Sequence, residues 1–120
     1  MQQILFVALG GALGSVARYL AVQLVMRFHP QPFPLGTMAV NIIGSFLIGV
    51  LMARFAVNDS ESSRLFLVTG ILGGFTTFSA FSWDVLSLVQ RGSWGQAAIY
   101  VAASVLLSLV AVALGWQLVR

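Results

Sequence analysis

The stretch Gly70-Ile71-Leu72-Gly73-Gly74-Phe75-Thr76-Thr77-Phe78-Ser79-Ala80-Phe81-Ser82 decides how the chain is read. It lies in an apolar run long enough to enter a membrane, yet its residues make a poor helix. Three glycines within five residues precede two β-branched threonines, and both residue types weaken helices. A helix that breaks at membrane depth leaves main-chain N–H and C=O groups unpaired. Hydrocarbon cannot hydrate them, so protein, ions or water must. Transporters place ion sites at breaks of this kind. Past the break, Phe78 and Phe81 stand three residues apart and share a helix face, with Ser79 and Ser82 beside them. We read the segment as functional. The plainer reading is a tight helix crossing, because Gly, Ser and Thr also let helices approach closely.

Composition sets the frame for that segment. Of the 120 residues, 59% are hydrophobic and 8% charged, against about 25% charged in soluble domains. The expectation is an all-α membrane protein forming a single domain. At about 20 residues per crossing, four spans use most of the chain: about 4–26, 36–55, 65–89 with a break near 73–78, and 94–119. Cysteine is absent, which removes disulfides, thiol catalysis and thiolate metal sites. The +3 net charge comes from scattered arginines with no basic cluster, so no nucleic-acid partner is expected. With one His and no grouped acids, an enzyme is not expected.

Gly10, Gly11, Gly14 and Ser15 give the first span overlapping small-xxx-small pairs, a helix-contact face. No basic segment precedes this span, so a cleaved signal peptide is not expected. Arg18 stands about two turns before the span's end. It either snorkels to the interface or faces a wet cavity and attracts anions. His29-Pro30-Gln31-Pro32-Phe33-Pro34 is a connector, because its prolines forbid a helix. In the second span Asn41 shares a face with Gly44 and Ser45. Its carboxamide needs a bonding partner, either across a helix contact or in a pore. Asn58 to Arg64 is polar loop, and Ser60 is the candidate N-cap of the helix that follows. Asp84 is the one acid inside a span. Gln90 to Ser93 is a turn, and Trp94 and Trp116 sit near the two ends of the last span as interface anchors. Along that span Tyr100, Ser104 and Ser108 recur every four residues as a polar stripe.

Cytoplasmic loops normally carry the excess of positive charge. Here Arg54, Arg64 and Arg120 fall on one side, and Arg27 and Arg91, with Arg18 nearby, on the other. So even a tally predicts insertion both ways round. Four helices enclose a pore poorly, which predicts an oligomer. Two opposed copies would form a two-chain version of an inverted repeat.

The chain resembles the Fluc (CrcB) family of small fluoride channels along nearly its whole length. The resemblance rests on Gly10-Gly11-Ala12-Leu13-Gly14 with Arg18-Tyr19, Gly36-Thr37, Asn41-Ile42-Ile43-Gly44, Thr69-Gly70 through Phe81, and the Tyr100/Ser104/Ser108 stripe. The run Gly73 to Phe81 is the most specific of these. The resemblance implies a passive, selective channel that exports fluoride from the cytoplasm across the inner membrane. It implies an antiparallel, dual-topology homodimer with two pores and a structural sodium ion on the twofold axis. The main-chain carbonyls of Gly73 and Thr76 would hold the sodium. Phe78, Phe81 and Asn41 would line the ion path, with Ser79 beside the rings. Tyr100, Ser104 and Ser108 would supply pore-side polar groups. The resemblance also favours the cavity reading of Arg18. Asp84 stands where many members carry Glu, and Ala80 where Thr is frequent.

Two other readings are weighed against the channel. A small proton-coupled multidrug exporter wants a buried carboxylate in its first span, and this span has none. A non-transporting membrane assembly subunit would use the glycines simply to pack.

Overall fold

In the computed structural model, which describes residues 1–119, the chain is all helix and loop, with no strand among the described residues. Its elements are α1 (Gln2–Phe28), α2 (Leu35–Val57), α3 (Glu61–Arg64), a π-helical segment (Leu65–Leu72), α4 (Gly73–Phe75), α5 (Ser79–Gln90) and α6 (Trp94–Val119). The third span is continuous from Glu61 to Gln90 only in the sense that α3, the π segment, α4 and α5 follow one another across it. The chain therefore has four helical stretches long and apolar enough to cross a membrane. It is a multi-pass integral membrane protein. Arg120, counted in the charge tally, lies outside the described residues.

Local chemistry sets where the elements stop. Pro34 has φ −81° and ψ 67°, and Leu35 N–H donates to Phe33 C=O at 2.8 Å. This is an inverse γ-turn, fixed by proline one residue before α2 begins. Ser60 caps α3 as expected, its hydroxyl accepting from Ser63 N–H, while Arg64 pairs with Asp59. At the far end of α5, Gly92 N–H reaches Val89 C=O and Ser93 N–H reaches Leu88 C=O. That pair of bonds is a Schellman closure, and it needs a left-handed residue. Gly92 supplies it with φ 78°.

The helices associate in two pairs. Between hydrocarbon-compatible helices close packing, not water exclusion, provides the attraction. Glycine is what permits it. An added Cβ at Gly49 would collide with Val112 C=O, and one at Gly115 with Phe46 C=O, so α2 and α6 meet backbone to backbone. On the other side α1 lies against the third span. A Cβ at Gly14 would strike Ile71 C=O, one at Gly10 would come within 2.5 Å of Phe66 C=O, and one at Gly74 within 2.6 Å of Gly11 C=O. Of the small residues of the first span, Gly10, Gly14 and Ser15 form the helix-contact face, while the Cβ side of Gly11 is open. A short core of Met38, Leu88, Ala97 and Tyr100 ties α2, α5 and α6 together at the end nearest the proline connector.

Candidate functional site

The third span changes its winding three times within fifteen residues of Leu65, and the main-chain hydrogen bonds show why. π winding over Leu65–Leu72 is a wider form that occurs often at functional sites. α4 then ends at Thr76, whose φ −90° and ψ 159° are extended. The helix restarts at Ser79. The sequence placed the break near 73–78, and the extended turn lies inside those bounds.

Buried polar main-chain groups must be paired, and side chains do most of the pairing here. Thr76 spends both its N–H and its hydroxyl on Leu72 C=O, at 3.0 and 2.9 Å. Asn41 reaches across from α2 and bonds both polar groups of Thr77. Its Nδ2 donates to Thr77 C=O at 2.9 Å, and its Oδ1 accepts from Thr77 N–H at 2.8 Å. Arg18 reaches from α1 and donates from Nε to Gly74 C=O at 3.0 Å. Thr77 Oγ1 caps the new helix by accepting from Ala80 N–H at 3.1 Å.

Two carbonyls are released by this arrangement. Thr77 N–H, which would serve Gly73 C=O four residues back, goes to Asn41 instead. Ala80 N–H, which would serve Thr76 C=O, goes to Thr77 Oγ1. Gly73 and Thr76 are the two residues for which the family resemblance implies exposed carbonyl ligands.

Both residues line an open groove of about 530 Å³ between α2, the third span and α6. Of the residues singled out from sequence, Asn41, Gly73, Thr76, Phe78, Phe81, Ser104 and Ser108 share this lining. Phe78 is 78% exposed, with its ring centroid 5.6 Å from that of Phe81. Ser104 is buried, and its hydroxyl has no hydrogen-bond partner among the described residues.

Three of the expected residues stand apart from the groove. Arg18 is half-buried and spends its Nε on the break, so it neither snorkels freely nor lines the groove. Ser79 is exposed, and its hydroxyl lies 3.3 Å from that of Thr77. Tyr100 is fully buried at the outer end of the stripe and donates its hydroxyl to Asp84 Oδ2 at 2.9 Å. Its ring centroid lies 5.1 Å from that of Phe81. Asp84 is thus engaged within the protein.

Sequence reasoning passed over Thr77 and Phe33. Thr77 holds three of the polar contacts that shape the break, but nothing in its spacing separates it from Thr76. Phe33 was read only as part of the connector. Its position between Pro32 and Pro34 is the available signal, since proline restricts the backbone of the residue before it.

Comparison with known proteins agrees with the geometry. The family model described as "CrcB-like protein, Camphor Resistance (CrcB)" matches residues 5–116. A protein of Agrobacterium fabrum named "Fluoride-specific ion channel FluC" is 54% identical over 122 residues, covering 100% of this chain and 98% of that protein. Proteins with the same name from Rhizobium etli and Cereibacter sphaeroides are each 52% identical, over 100% of this chain and 98% and 96% of their own lengths. The chain belongs to the CrcB family, also called Fluc.

Proposed function

We propose that the chain is a passive fluoride channel of the cell's inner membrane, lowering fluoride toxicity by letting the ion leave the cytoplasm. The observation that carries this reading is the lining of the groove, where Ser104 and Ser108 of α6 and Asn41 of α2 stand together with the rings of Phe78 and Phe81. The Ser104 hydroxyl is buried with no partner among the described residues, which is costly, and a turn of the side chain toward the groove would let an anion there accept its hydrogen. Fluoride is small and strongly hydrated, so several weak donors must replace its water. Asn41 retains one Nδ2 hydrogen beyond the bond to Thr77. Ring edges of Phe78 and Phe81 present the positive part of the aromatic quadrupole. Several weak sites in series let an ion leave as well as enter.

The groove is open on one face of the chain, and a second, oppositely oriented copy would cover it. This makes the functional unit an antiparallel homodimer embedded in lipid, with both orientations inserted. The Gly73 and Thr76 carbonyls fit a monovalent cation, being hard oxygen donors freed from the helical ladder. No cluster of three or more acids or histidines stands among the described residues to favour a multivalent metal. Sodium held there by both copies would supply positive charge that draws the two broken spans together. The multidrug-exporter reading loses support because α1 carries no carboxylate. The assembly-subunit reading gives no role to the polar lining of the groove.

The test is ion efflux from liposomes containing only this purified protein. Fluoride should pass without an energy source while chloride is retained. Proton-driven efflux of organic cations, with no fluoride flux, would overturn the reading.

A further inference from the structure

The polar stripe on α6 ends at Tyr100, and the connector before α2 supplies what lies beyond it. Phe33 packs there with its ring perpendicular to that of Tyr100, at an interplanar angle of 86° and a centroid distance of 5.6 Å. On its other side Tyr100 meets Phe81 at 36°. The four rings Phe33, Tyr100, Phe81 and Phe78 therefore form one contiguous series running from the connector to the groove. Phe33 is not carried loosely. Pro32 and Pro34 flank it, the inverse γ-turn at Pro34 ties its carbonyl to Leu35 N–H, and it is half-buried against the core that includes Met38 and Leu88. Edge-to-face contact is a preferred, directional aromatic geometry, so a pinned Phe33 fixes the plane of Tyr100. The plane in turn sets where the phenol oxygen lies, and here it gives its hydrogen to Asp84.

We infer that Phe33 is a positioning residue for permeation: it holds Tyr100 in the rotamer that keeps the Tyr100 hydroxyl on Asp84 at the outer end of the stripe. This rests on the channel reading proposed above. Loss of the ring lets Tyr100 turn, and its hydroxyl leaves Asp84. Leucine at position 33 fills much of the space but has no ring edge or face. Tyrosine keeps the ring.

The experiment combines flux with a direct view of Tyr100. Wild-type fluoride efflux from liposomes tests the channel reading itself. Phe33→Leu should lower the efflux by about twofold to tenfold, the range an aromatic pair of this geometry can supply, and Phe33→Tyr should restore it. Phe33→Leu combined with Tyr100→Phe should be no slower than Tyr100→Phe alone, because Phe33 acts through the Tyr100 hydroxyl. Wild-type flux in Phe33→Leu, or losses that multiply in the double variant, would overturn the inference while leaving the channel intact. The second measurement does not depend on flux. The chain has two tyrosines, Tyr19 exposed and Tyr100 buried, so protein labelled with 3-fluorotyrosine should give two distinct fluorine resonances. Phe33→Leu should move the Tyr100 resonance toward that of Tyr19 and leave Tyr19 unchanged. An unmoved Tyr100 resonance refutes the inference even if the liposomes pass no fluoride.

Discussion

Asn41 on α2 bonds both main-chain groups of Thr77 in the third span, donating to its carbonyl and accepting from its N–H. One carboxamide thereby does the work of a short strand pairing at the point where the helix gives up its own ladder. It also decides which carbonyl is set free, because the N–H it takes is the one Gly73 C=O would have used. Of the two roles open to Asn41 in the sequence, interhelical bond and pore-facing amide, the structure gives it the first while placing it in the lining of the groove.

Removing that amide should therefore harm stability as well as flux. In Asn41→Ala both Thr77 groups lose their partners; a fully buried group left unsatisfied costs about 1–3 kcal/mol, which is the ceiling for each of these part-buried ones. Thermal unfolding in detergent should show the loss. Asn41→Asp is the sharper probe. An ionised carboxylate accepts from Thr77 N–H but cannot donate to Thr77 C=O, whereas the protonated acid can do both. Its stability deficit should be largest near neutral pH and shrink on acidification. A deficit independent of pH would mean that the donor half of the contact is unimportant.

The glycines of α1 separate just as clearly. At Gly14 a Cβ would meet Ile71 C=O and lie 3.0 Å from Phe75 N, all main chain that cannot swing aside, whereas at Gly11 nothing stands within 4 Å. Gly14→Ala should push α1 off the third span, lower the unfolding temperature and disturb the break. Gly11→Ala should leave the chain at least as stable, since alanine is the better helix former by about 1 kcal/mol. Equal behaviour of the two variants would show that the α1 contact differs from the one described.

These details mark the limit of what the sequence discloses. The four spans, the turn at Gly92 and the cap at Ser60 follow from composition and local chemistry, which act over a few residues. The break is legible too, because Gly70, Gly73, Gly74 and two threonines depress helix formation together. The π winding over Leu65–Leu72 is not. It lies where Gly10 and Gly14 let α1 press against the Phe66 and Ile71 carbonyls, a contact across more than fifty residues of chain. Arg18 is hidden for the same reason. Its spacing fits an interface or a cavity, and only the placed Gly74 carbonyl shows where its Nε is used. Phe33 escaped notice because a ring inside a proline connector carries no helical period.

Insertion in both orientations can be tested through the loop between α2 and α3. Asn58 in that loop and Ser62 in the adjoining α3 are both exposed. Replacing both with lysine should hold this loop in the cytoplasm and bias the whole population one way. The chain has no cysteine, so one introduced near the N-terminus reports sidedness by labelling. Wild-type protein should label from both sides and the lysine variant from one. Fluoride flux in cells should fall with that bias and recover when an oppositely biased copy is co-expressed. Full flux from a population of one orientation would refute the antiparallel pair.

The proposed sodium site gives a prediction in which the chain's own packing and the pairing of two copies come apart. A Cβ at Gly73 meets nothing closer than Val68 C=O at 3.8 Å, and the residue faces the groove that a second copy would cover. Gly73→Val should therefore leave each chain folded but obstruct the approach of the two breaks, so that dimer and fluoride flux are lost together. Thr76→Val removes a hydroxyl that is already spent on Leu72 C=O and leaves the Thr76 carbonyl in place. One hydrogen bond is its main loss, so its flux should stay within about tenfold of wild type. Exhaustive replacement of sodium by a bulky organic cation should abolish flux in the wild type, and returning sodium should restore it. Unchanged flux without sodium, or a Gly73→Val protein that pairs and conducts normally, would end the assignment of these two carbonyls.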